Sequence, residues 1–128
     1  MPPSKKEKGP WVASVAVVVS DKQKAKKWYT ETLGLDLIME QDHWVTVGRK
    51  GKGGMLHLCQ MNELDPKFPM EPGNSGIMIM LEGDMMKIYE ALKARGVKFT
   101  HPPEKKPWGW ECMIVDPDGN EHLLMPSD

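Results

Sequence analysis

One pattern occurs twice in this chain of 128 residues, and it limits the possible folds more than any single motif does. Each copy has an apolar strand, an aspartate able to cap a helix, an amphipathic stretch and a glycine that stops it. In the first copy Trp11 to Val19 reads WVASVAVVV, Ser20 and Asp21 offer caps, Ala25, Trp28, Tyr29 and Thr32 recur at helical spacing, and Gly34 follows. In the second, Gly76 to Leu81 is apolar throughout, Asp84 is the cap, Met85, Ile88, Tyr89 and Leu92 form the stripe, and Gly96 is the stop. The caps lie 63 residues apart and the stops 62 apart. A repeat of this length is a statement about fold: two copies of one supersecondary unit.

Each unit continues in strands. Leu35 to Met39, His43 to Gly48 and Met55 to Gln60 read as strands, the last two joined by the glycine-rich turn RKGKGG. Prolines 66, 69 and 72 keep residues 62–75 extended as a linker. Val97 to Thr100 reads as a short strand and His101 to Pro107 as a proline-bounded loop. Cys112 to Val115 and His122 to Met125 flank Asp116-Pro117-Asp118-Gly119-Asn120, where proline presets one turn angle, aspartate bonds its own backbone and glycine supplies the left-handed residue. The expected class is α+β, two tandem β-α-β-β-β modules. The boundaries are a loose tail over 1–10 and one domain over 11–126, with module one at 11–61, the linker at 62–75 and module two at 76–126. Both opening strands are apolar on both faces, while a helix covers only one face of a sheet. The second face must meet another sheet or enclose a cleft.

Charge and composition exclude several functions. Net charge is -1 from 17 basic and 18 acidic residues, so no broad positive field exists for nucleic acid. Lys22, Lys24, Lys26 and Lys27 fall on the first helix, where a solvated face is the ordinary explanation. No apolar run reaches the roughly 18 residues a membrane span needs, and the first ten residues are too polar for a secretory signal. Cys59 and Cys112 stand alone, without a Cys-x-x-Cys pair, which suits a reducing cytoplasm.

Three segments, VVVSDKQKAKKWYTETLGLDL, EALKARGV and DPDGNEHLL, together resemble the vicinal oxygen chelate superfamily of glyoxalases, bleomycin-resistance proteins and extradiol dioxygenases. The resemblance spans about residues 11–126. It implies paired modules whose curved mixed sheets enclose a cleft, usually in homodimers. In metal-dependent members four strands each supply one ligand. The matching positions here are Ser14, His57, Ile77 and Leu123, of which only His57 is a ligand type. A one-residue slip in the last strand would instead turn Glu121 or His122 inward. The resemblance therefore points to a cleft without a metal ion, one divalent ion being the alternative.

Strand alternation sends Met55, His57 and Cys59 into that cleft. A hydrogen-bonded neutral histidine is the ordinary reading of His57, which is also the one weak candidate for acid–base catalysis. Cys59 has no positive neighbour to activate it and reads as packing. Trp108 and Trp110 flank Gly109, where they either grip a planar ligand or close one end of the cleft. Trp44 divides in the same way between pocket wall and core. With Ile77 taken as cleft-facing, Met78 and Met80 fall toward the helix. Glu82, Glu111 and Glu121 read as solvated strand-end carboxylates. The expected ligand-binding set is Ser14, Met55, His57, Cys59, Ile77, Trp108, Trp110 and Leu123. The expected function is small-molecule binding without a metal in a homodimer, with a glyoxalase-type lyase, isomerase or dioxygenase as the alternative. Neither nucleic acid nor membrane is an expected partner.

Overall fold

Asp21 starts the first helix by accepting hydrogen bonds on its carboxylate from the backbone N–H groups of Gln23 and Lys24, at 3.0 and 3.1 Å. The computed structural model describes residues 14–42, 44–60, 72–73 and 75–127. The expected tail, the start of the first strand, and residues 62–71 and 74 of the expected linker lie outside them. Helix α1, Lys22–Lys27, runs straight into a π-helical turn, Trp28–Thr32, and Gly34 then takes a positive φ of 100° as the stop. In the second module Asp84 caps helix α2, Met85–Ala94, through the backbone N–H of Lys87, and Gly96 ends it at φ 90°.

Strand β1 is Val15–Val19, β2 Asp36–Glu40, β3 Trp44–Arg49 and β4 Lys52–Gln60. Strand β5 is Met78–Glu82, β6 Lys98–Lys106, β7 Gly109–Val115 and β8 Glu121–Ser127. They form two four-stranded sheets of the same plan, ordered β1-β4-β3-β2 and β5-β8-β7-β6, each with one parallel pair beside antiparallel ones. The α+β class and the two β-α-β-β-β units follow as expected. No helix among the described residues is long and apolar enough to cross a membrane.

Residues 101–106 depart from expectation. They are a continuation of β6 through Pro102 and Pro103, not a loop, with register shifts between Phe99 and His101 and between His101 and Glu104. The strand lies at the sheet edge, where a missing proline N–H removes no essential ladder bond.

The helix-bearing faces of both sheets share one core. Val17, Val19, Val45, Val47, Leu56 and Leu58 come from the first sheet, Ile79, Cys112, Ile114 and Leu124 from the second, and Tyr29, Leu33, Ile88 and Leu92 from the helical segments. Full burial of one such side chain, for example Leu58, contributes about 1.5–3 kcal/mol. On the second sheet the opposite face is far less covered: Met78 is 59% and Met80 57% exposed. This corrects the expected direction of β5. Ile79 enters the core, and Met78 and Met80 turn to the open face. An all-apolar strand carries no alternation of polarity, so its facing could not be read locally.

Candidate functional site

The register of the first sheet places Met55, His57 and Cys59 on the face away from the helices. Their neighbours there are Gly48 beside Met55, Thr46 and Ala16 beside His57, and Trp44 and Val18 beside Cys59. The Thr46 hydroxyl and Nδ1 of His57 are 2.9 Å apart. The indole of Trp44 stacks on the imidazole, with centroids 5.3 Å apart and planes 21° from parallel. His57 is thus oriented by a hydroxyl and an aromatic face. Cys59 is buried, which raises its thiol pKa, and its Sγ points at the carbonyl oxygen of His57 at 3.6 Å. Burial, followed by the nearby Glu111 carboxylate, pushes Cys112 up to about 11. Both thiols therefore stay protonated near neutrality.

On the second sheet the open face carries Met78 beside Leu123, Leu123 beside Met113, and Met80 beside Met125. This wall is apolar and rich in thioethers, which adapt to many shapes. Ile77 packs against the core instead, and its backbone N–H donates to His122 Nδ1 at 3.3 Å. Trp108 and Trp110 sit two strands away from β5, at the β6–β7 end, 67% and 36% exposed. Nε1 of Trp108 donates to Glu111.

Between the modules, where the start of β1 and the β3–β4 hairpin approach β5, lies a groove of about 540 Å³. Val15, Met55, Ile77, Met78 and Met80 line it, and Arg49, Lys52 and Glu82 stand on its rim. Of the expected ligand-binding residues, the groove brings together Met55 and Ile77. His57 and Cys59 continue its Met55 side along β4, Leu123 continues its Met78 side on β8, and Ser14 precedes Val15. The two tryptophans near the C-terminus do not join it.

The positions implied for a metal do not converge on a ligand set. Among the described residues no three histidine, cysteine, aspartate or glutamate side chains are grouped to hold an ion. A slip in β8 is not seen either, because its register with β7 runs unbroken from Cys112–Leu124 to Val115–Glu121. Glu121 bonds the Thr100 hydroxyl and lies 3.7 Å from His101. His122 is fully buried on the helix side of the sheet. Among the described residues the side chains do not fit a four-ligand divalent site.

The other end of the module seam is closed by a buried polar cluster that sequence reading missed. The Tyr29 hydroxyl donates to Asp116 Oδ2 at 2.7 Å and lies 2.8 Å from His122 Nε2. Burial, reinforced by the Asp116 carboxylate, drives the Tyr29 pKa far upward, so the phenol keeps its proton and acts as donor. Because His122 Nδ1 accepts from Ile77, Nε2 carries the ring proton and gives it to the Tyr29 oxygen. Asn120 extends the cluster. Its Oδ1 accepts from the Gly73 and Ser75 backbone N–H groups, both at 2.9 Å, and its Nδ2 donates to Val18 O at 3.1 Å and Asp116 Oδ2 at 2.8 Å. No buried side-chain polar atom among the described residues lacks a partner. The signal in the sequence was the DPDGN turn itself, but its residues reach across the seam as well as around the turn.

These features define a class. A paired-module α+β chain with two like four-stranded sheets around a shared core is the glyoxalase and bleomycin-resistance architecture. Residues 11–122 match the family model of the Glyoxalase/Bleomycin resistance protein/Dioxygenase superfamily, and the chain belongs to that superfamily. Its fold is similar to that of TnmS3, described as an antibiotic binding protein, from Streptomyces sp. CB03234. The TM-score is 0.78 and the identity 32%, over 94% of this chain and 98% of that one. A superfamily member from Sphaerobacter thermophilus DSM 20745 is also similar, with TM-score 0.77 and 32% identity, covering 92% and 98% of the two chains. In sequence the chain is 33% identical to the uncharacterized protein YetH of Bacillus subtilis (strain 168), over 88% of this chain and 95% of that protein.

Proposed function

We propose that this protein binds a planar, apolar small molecule in the cytoplasm, without a resident metal ion, in a cleft built from the open sheet faces of a homodimer. The observation that carries this reading is the uncovered wall of the second sheet. Met78 and Met80 stand more than half exposed on a contiguous apolar face with Leu123, and on the first sheet Trp44 stacks flat on His57. A second copy is the simplest cover for such faces, and a planar ligand is what stacked rings and thioethers hold. Similarity to an antibiotic binding protein agrees with binding rather than turnover. An acid–base role for His57 has less support, since Thr46, not a carboxylate, orients its ring.

The test combines titration with metal analysis. N-phenyl-1-naphthylamine, a neutral two-ring probe, should bind saturably and gain fluorescence. Protein incubated with manganese, nickel and zinc and then dialysed should retain none of them. Near-stoichiometric metal that is lost in His57→Ala would overturn the reading in favour of glyoxalase-type chemistry.

A further inference from the structure

The charged rim of the groove has an excess of positive groups. Strand β3 and the β3–β4 hairpin present Arg49 and Lys52, and both rest on the same oxygen of Glu82, at 3.2 and 2.8 Å. The hydrogen bond from Lys52, and then the charge of Arg49, hold the Glu82 carboxyl below the usual range. Lys50 lies between them in sequence, and its backbone N–H is bound by Asp36 at 3.2 Å. At the groove itself two cations, Arg49 and Lys52, meet one carboxylate, Glu82, which leaves one positive charge in excess beside an apolar trough. A guanidinium offers five N–H donors and an ammonium three, and a single carboxylate oxygen uses few of them. A Cβ built on Gly53 or Gly54 meets nothing within 4 Å, so the hairpin leaves open space at this point on the groove.

We propose that the groove selects amphipathic anions: molecules with a planar apolar body against Met55, Ile77, Met78 and Met80 and one anionic oxygen group against Arg49 and Lys52. The proposal rests on the small-molecule-binding reading above and adds the sign of the ligand's charge. Low-dielectric walls beside the two cations strengthen their field at the rim. The anion joins Glu82 as a second acceptor for donors it leaves unused. Because Arg49 and Lys52 belong to module one and Glu82 to module two, the same contacts would also suit a simple strut between modules, and the experiment must separate the two roles.

The probes are 8-anilinonaphthalene-1-sulfonate and N-phenyl-1-naphthylamine, which share the same rings and differ by the sulfonate. The sulfonate should bind about fivefold tighter at low salt, the upper range for exposed ion pairs, and lose that advantage in about 1 M salt, where the Debye length is about 3 Å. Arg49→Gln combined with Lys52→Gln should bring the ratio of the two affinities to about one. Glu82→Gln should raise it. Lys24→Gln combined with Lys27→Gln, the same charge change on the exposed face of α1, should leave it unchanged. An equal affinity for both probes, or the same loss of ratio in the α1 pair, would overturn the proposal while binding itself stood. A lower melting temperature in the Arg49 and Lys52 variant with no change in ratio would assign these residues to a strut and likewise overturn it. Failure of both probes to bind would remove the binding reading and the proposal together.

Discussion

The two ends of the seam between the modules are built on opposite principles. At one end Tyr29, Asp116, Asn120 and His122 are buried and every polar atom has a partner. At the other, thioethers and aliphatic side chains line an open groove whose charged groups stand in water. A buried and satisfied polar cluster admits one geometry, because any displacement strands a donor or acceptor at a cost of about 1–3 kcal/mol each. Methionine walls and screened ion pairs tolerate displacement at little cost. The same pair of modules is thus held rigidly at one end and left adaptable at the other, which is a suitable division for a protein that must keep its fold while receiving ligands.

The sharpest way to break this contrast is Asp116→Ala. It removes the acceptor for the Tyr29 hydroxyl, for the Asn120 side chain and for the backbone N–H groups of Asp118 and Asn120. A stability loss of about 3–5 kcal/mol is expected in urea denaturation; a loss under about 1 kcal/mol would show that the cluster does not hold the seam. Acid should act on the same end more gently. Burial lowers the His122 pKa below the ordinary imidazole value of about 6.5, partly offset by Asp116. The unfolded chain then binds the extra proton more readily, so the contribution of His122 is complete above about pH 6.5 and declines as pH falls toward the folded-state pKa. His122→Gln should flatten this part of the profile of melting temperature against pH. A slope that survives the substitution would place the acid sensitivity elsewhere. The smallest effect on folding should come from the open end: Met78→Glu combined with Met80→Glu should change monomer stability by no more than about 0.5 kcal/mol. If the proposed homodimer uses this face, sedimentation should show the parent as a dimer and the substituted protein as a monomer; an unchanged dimer would mean that a different surface joins the copies, and a monomeric parent would sink the homodimer itself.

Local chemistry made the fold readable. Asp21 and Asp84 cap their helices, Gly34 and Gly96 stop them, and Gly119 with φ 87° closes the last hairpin, each through contacts within a few residues of itself. What depends on facing or distance was not readable. Ile77 to Leu81 is apolar at every position, so Met78 and Met80 gave no sign of which face they take. Pro102 and Pro103 suggested a loop because proline breaks a central strand, and only the sheet order reveals an edge. For the site, alternation along β4 placed Met55, His57 and Cys59 together, but the groove rim joins Arg49 and Lys52 to Glu82, 30 residues and more away.

The polar cluster also bears on the order in which the chain assembles. Its links join residues 87, 93 and 102 positions apart, whereas β7 and β8 are joined by a turn of a few residues. Closing a long loop costs more entropy than closing a hairpin, and that entropy must be lost before the contact returns anything. The hairpins of each module are therefore expected to form first, with Tyr29 meeting Asp116 and His122 only once both modules stand. On that order the cluster should act on the lifetime of the finished protein more than on the speed of its making: Asp116→Ala should hasten unfolding and leave the refolding rate nearly unchanged in stopped-flow kinetics, and a matching fall in the refolding rate would place the cluster in the early steps.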